Sequence, residues 1–133
     1  MKSHSLLLIC LASALTNPAA TGLAKNADGP IRVLFLGHDS EHHNSNEYYP
    51  MLSRALGRDA IYFDYVTSVE EALGDPAHLA KFDGLLLYAN HGRIESHQWT
   101  NLKNYVENGG GFVPVHCASW CFGNEPGFDQ LVG

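Results

Sequence analysis

Apolar residues in this chain gather into short unbroken runs, and the segments between them carry helical spacing. The runs lie at 31–37, 61–66, 85–88 and 112–115. The first, Ile31-Arg32-Val33-Leu34-Phe35-Leu36-Gly37, holds one charged residue, the pattern of a strand covered on both faces. Between the first two runs, Asn46 predicts the cap of a helix opening near Glu47. Tyr48, Met51, Leu52, Ala55 and Leu56 share one face of it and Gly57 stops it. Ser68 starts a short turn of helix through Leu73, and Pro76 opens another that holds Leu79. Ser96 predicts the cap of a longer helix with Trp99, Leu102, Tyr105 and Val106 on one stripe, stopped by Asn108-Gly109-Gly110. Strand and helix alternate throughout, which implies an α/β fold with a parallel sheet and helices on both faces.

Three of the four runs break off at or near a histidine: His38, His91 and His116. Open parallel sheets bind ligands outside the carboxyl ends of their strands. If the runs are neighbouring strands, these histidines converge on one rim. Imidazole is the commonest metal ligand and titrates nearest physiological pH, so the pattern points to a site without fixing a reaction.

The amino terminus has the form of an export signal. Lys2 precedes an apolar core, Leu6-Leu7-Leu8-Ile9-Cys10-Leu11-Ala12, and small residues follow, with cleavage expected after Ala20 or Ala24. The core is well short of the roughly 20 residues a membrane span requires. A lipoprotein reading through Cys10 fits poorly, because bulky Ile9 precedes it. The expected organisation is a signal peptide over 1–24, a polar linker over 25–30 closed by Pro30, and one domain over 31–133, placing the protein in the periplasm or outside the cell. The last residues, Phe128 to Gly133, stop as another helix gets under way, so the domain is expected to continue and further domains to be possible partners. The net charge of −6 comes without a basic cluster, which argues against nucleic acid as a partner. Of three cysteines, Cys117 and Cys121 lie beyond the signal; their spacing leaves a disulfide, two buried thiols and a functional cysteine all open.

The densest local pattern is Gly109-Gly110-Gly111-Phe112-Val113-Pro114-Val115-His116-Cys117-Ala118-Ser119. A glycine-rich helix stop feeds a short strand that ends in a reactive-type residue followed by small ones. Nucleophile elbows are built this way, because a tight strand-to-helix turn needs small neighbours and exposes one side chain at the rim. Pro114 is tolerable there if its missing N–H faces an unpaired position.

With Trp99-Thr100-Asn101-Leu102-Lys103-Asn104-Tyr105-Val106-Glu107-Asn108 before it, this run resembles the ThuA-like (trehalose utilisation) family. Leu34-Phe35-Leu36-Gly37-His38-Asp39 and Asp83-Gly84-Leu85-Leu86-Leu87-Tyr88 fit the family's earlier strands. The resemblance implies the flavodoxin-like sheet of the class I glutamine amidotransferase-like superfamily, of which this chain would hold the first half. It also implies a carbohydrate as substrate. Amidotransferases carry a nucleophilic cysteine at the elbow. Here that position is His116 and Cys117 comes one residue late, so a thioester mechanism is not expected, and a metal ligand or acid–base role suits the imidazole better.

Two further groups complete the expected site. The loop Asp39, Glu41, His42 and His43 offers carboxylates and imidazoles for substrate hydroxyls or a metal shell, without a fixed metal-binding spacing. Asn90 and Arg93 flank a turn at Gly92, and Trp120 follows the elbow where it can stack on a sugar ring or pack beneath the loop. The sequence thus leads to an exported domain acting on a carbohydrate or oxidised sugar by hydrolysis or isomerisation. His116, His38 and His91 are the expected catalytic residues, and His116 and His38 the expected ligands of a divalent zinc, manganese or iron. The alternative is a non-catalytic carbohydrate-binding or scaffold module of a larger secreted protein.

Overall fold

Four continuous apolar runs become four strands: β1 (Ile31–Leu36), β2 (Ile61–Val66), β3 (Gly84–Leu87) and β4 (Gly111–Pro114). They form one sheet in the order β2-β1-β3-β4, all parallel. The structure is a computed structural model that describes residues 29–133, so the expected signal peptide and most of the linker lie outside the described residues. The connecting helices are α1 (Ser45–Leu56), α2 (Val69–Leu73), α3 (Pro76–Leu79), α4 (Ser96–Glu107) and α5 (Pro126–Val132). The expected flavodoxin-like α/β arrangement is present.

Strand alternation splits the core into two layers. Leu34, Leu36, Leu85 and Leu87 pack on one face with Leu73 of α2, Leu79 of α3, Leu102 of α4 and Phe128 of α5. Phe35, between two of those leucines in sequence, points the other way. It meets Tyr49 of α1 and the strand residues Phe63 and Tyr65 in edge-to-face contacts 5.1–6.3 Å between ring centres. This second face is covered by α1 over β1 and β2, whereas Val113 and Val115 beside β3 stay 51% and 36% exposed.

Two predicted helix starts move by small steps. The cap of α1 is Asn44, whose side chain accepts the Asn46 N–H, so the helix begins at Ser45 and not near Glu47. The cap of α4 is Glu95, its N–H donating to Gln98 Oε1 at 2.9 Å, one residue before Ser96. Pro114 sits where its ring is tolerated. The Val115 N–H donates to Leu87 O at 2.8 Å, so the neighbouring Pro114 nitrogen faces away from β3. Among the described residues no helix is long and apolar enough to cross a membrane.

Candidate functional site

The register places Leu36 beside Leu87 and Leu87 beside Pro114, so β1, β3 and β4 end level. Their continuations, 37–38, 88–91 and 115–116, therefore leave from one rim. The β1 exit is a close-packed corner. A Cβ on Gly37 would lie 2.5 Å from both the Ser45 hydroxyl and the Tyr65 hydroxyl, so only glycine fits. Ser45, fully buried, accepts the His38 N–H at 2.8 Å and donates to the His38 carbonyl at 3.0 Å. The Tyr65 hydroxyl lies 3.0 Å from Ser45 Oγ and donates to Asn46 Oδ1 at 2.8 Å.

His38 is 8% exposed and both its ring nitrogens are engaged. Nδ1 accepts the Asn90 N–H at 3.1 Å and Nε2 donates to the His43 carbonyl at 2.9 Å. As placed, the ring offers no free lone pair to a metal ion. His91 lies 6.2 Å away between ring centres, and its Nε2 donates to the Gly37 carbonyl at 2.8 Å. Burial pushes the His91 pKa below the usual histidine value; the Gly37 carbonyl opposes that shift and His38 adds to it. The ring is thus neutral at pH 7, and its Nδ1 keeps a lone pair with no hydrogen-bond partner among the described residues.

The elbow expected after β4 is present in backbone terms. His116 adopts φ +52° at the start of a 3₁₀ turn over His116–Trp120. A second left-handed histidine, His43 at φ +57°, lies against it, the two rings 4.6 Å apart and 80° to one another. Such conformations cost about 1–3 kcal/mol each outside glycine and concentrate at functional sites. Both side chains are exposed. Tyr88 stands 6.4 Å from His43 and 5.6 Å from Tyr48.

The histidines divide between two cavities. A polar cleft of about 380 Å³ is lined by His38, Asp39, Ser40, His42, His43, Asn90 and His91. An apolar groove of about 370 Å³ is lined by Phe35, Tyr48, Met51, Leu52, Leu86, Tyr88, Val115 and His116. His116 therefore does not share the cleft of His38 and His91; it reaches that cleft through its contact with His43. The sheet order explains this, since β4 is two strands from β1, a separation of roughly 10 Å. Glu41 and Arg93 are exposed outside the cleft lining. Trp120 is 80% exposed, so it does not pack beneath the loop. The remaining histidines among the described residues serve elsewhere: His97 lies 3.4 Å from Glu70, and His78 edges onto Phe82.

Cys117 and Cys121 are both free and buried, and are not bridged to one another. Burial raises the Cys117 pKa, its own backbone hydrogen bond opposing, and pushes Cys121 to about 11, against the His91 N–H and with Cys117 adding. Cys121 Sγ accepts the His91 N–H at 3.3 Å and donates to the Ala89 carbonyl at 3.2 Å, pinning the loop after β3. A buried, protonated Cys117 has little thiolate to offer as a nucleophile. Among the described residues no three His, Cys, Asp or Glu side chains are grouped to hold a metal ion. His43 and His116 supply two adjoining imidazoles, one short of a typical protein shell.

Sequence reading missed Ser45, Tyr65 and the Tyr48–Tyr88 pair. Nothing marks Ser45 apart from its polar neighbours Asn44 and Asn46, and Tyr65 reads as an ordinary strand aromatic.

A family model described as ThuA, trehalose utilisation, matches residues 32–133. Among solved structures, the fold is similar to that of a ThuA-like protein from Bacteroides uniformis, with a TM-score of 0.65 at 20% identity. The likeness covers 84% of this chain and 47% of that one, so this chain spans about half the length of that relative. Among curated proteins, none matches.

Proposed function

Since this chain belongs to the ThuA (trehalose utilisation) family, we propose that its rim acts on a carbohydrate or an oxidised sugar, by hydrolysis or isomerisation. The observation that carries this reading is the contact between His43 and His116, two strained and exposed histidines from different strand exits. Strain kept at two positions that a glycine would relieve argues for chemistry there. His116 acts as the proton-transferring group, with His43 against it to share or orient the proton. Neutral His91 faces the adjoining cleft with Nδ1 free to accept a proton or a sugar hydroxyl. Asp39, His42 and Asn90 line the same cleft as hydroxyl-binding groups.

A divalent metal at this rim would need a third protein ligand beside His43 and His116, and would supply Lewis-acid chemistry. The apolar start of the sequence supports a site of action outside the cytoplasm, in the periplasm or beyond. A second reading, a carbohydrate-binding module without turnover, draws support from Trp120, an indole 80% exposed beside the elbow.

His116→Gln decides between them, assayed with trehalose, its keto derivatives and simple sugar lactones. Loss of turnover with sugar binding kept supports catalysis at the rim. Unchanged turnover refutes it, and binding without turnover in the parent protein favours the module.

A further inference from the structure

His38 carries two hydrogen bonds whose partners have fixed polarity. The Asn90 backbone N–H can only donate, so Nδ1 holds a lone pair; the His43 carbonyl can only accept, so Nε2 holds the proton. A neutral imidazole has one donor and one acceptor, and here both are committed to backbone. The Asn90 bond ties the loop after β1 to the loop after β3, across 52 residues of sequence, and the His43 bond closes the first of these loops on itself. The latter bond grips the carbonyl of His43, the residue at φ +57° whose ring lies 4.6 Å from that of His116. Orienting that carbonyl fixes the peptide plane just after His43, and with it where the His43 ring can lie. His38 is itself fixed from behind, its backbone N–H and C=O both bound to buried Ser45.

We infer that His38 is a positioning residue. Locked as its Nε2–H tautomer between the Asn90 amide and the His43 carbonyl, it sets the left-handed turn that lays the His43 imidazole against His116. This deepens the functional reading above, because it takes the His43–His116 pair as the working pair. Both His38 ring nitrogens are already committed to backbone partners in this arrangement. A glutamine in its place would reproduce the function, since an amide also offers one acceptor and one donor at similar spacing. A leucine would fill the space and supply neither.

Nuclear magnetic resonance tests this without any substrate. Two-bond ¹H–¹⁵N correlations at neutral pH report the His38 tautomer, and Nε2–H is expected; an Nδ1–H ring, or a rapid mixture of both, overturns the inference. Nuclear Overhauser contacts between the His43 and His116 rings are expected in the parent and in His38→Gln, and are expected to vanish in His38→Leu. The methyl signals of Leu34 and Leu87 report whether the core of each variant is intact. Ring contacts that persist in a folded His38→Leu protein, or that are lost in a folded His38→Gln protein, also overturn it. Should His38→Leu not fold, the parent tautomer and the glutamine variant decide alone. Because no arm needs turnover, a protein with this ring geometry and no action on sugars would refute the functional reading and leave the positioning role standing.

Discussion

Replacing Ser45 with alanine deletes one oxygen that serves the whole corner beneath the rim. That oxygen accepts the His38 N–H at 2.8 Å, donates to the His38 carbonyl at 3.0 Å and lies 3.0 Å from the Tyr65 hydroxyl. Ser45 is fully buried, so water cannot take over without opening the corner. Each buried backbone group left without a partner costs about 1–3 kcal/mol. Two such groups, with Tyr65 still held by Asn46, place the loss at about 2–6 kcal/mol. Against a typical net stability of about 5–15 kcal/mol for a domain, that is a large fraction. The assay is urea unfolding followed by far-ultraviolet circular dichroism and tryptophan fluorescence in parallel, with Tyr65→Phe as the control. Tyr65→Phe removes a hydroxyl whose partner Asn46 is exposed, so it is expected to cost below about 1 kcal/mol. A Ser45→Ala loss under about 0.5 kcal/mol, or one no greater than that of Tyr65→Phe, refutes the reasoning.

Two further predictions follow from the same loops. The folded state holds His91 below the usual histidine pKa, so the unfolded chain takes up its proton first as pH falls. Above about pH 7.5 both states are neutral at this ring and nothing changes. Below that value stability declines with falling pH, and His91→Gln is expected to shallow the decline in melting temperature between pH 6.5 and 5; an equally steep decline rules the ring out as its source. Cys117 and Cys121 are buried with raised pKa values, so both are expected to resist iodoacetamide at pH 8 in the native protein and to react in urea. Rapid native labelling of Cys117 would show that its thiol reaches solvent.

The fold was legible because its determinants are local. The runs through Leu34–Leu36 and Leu85–Leu87 are apolar without interruption, as strands covered on both faces must be, and the segments between them carry helical spacing. Boundaries drifted where several residues share one chemistry: Asn44, Ser45 and Asn46 can each cap a helix, and Tyr65 and His38, distant in sequence, settle which one does. The site was legible as a rim and not as a geometry. Strand exits announce where His38, His91 and His116 emerge, but the partners of an imidazole do not. His38 spends its ring on Asn90 and His43, and no local pattern distinguishes a histidine used as a brace from one left open. The pairing of His43 with His116 depends on two left-handed residues, a conformation that sequence signals clearly for glycine and only weakly for histidine.

That left-handed backbone at His116 sets a bias on how the position drifts over generations. Glycine relaxes the turn and removes the imidazole, and asparagine tolerates the same angle, so both are the easy exits under mutation. A lineage that still uses the rim has to hold histidine there against this pull, while one that has abandoned the chemistry gains stability by letting it go. The identity of residue 116 across related genomes would then act as a gauge of which copies remain under selection for the rim.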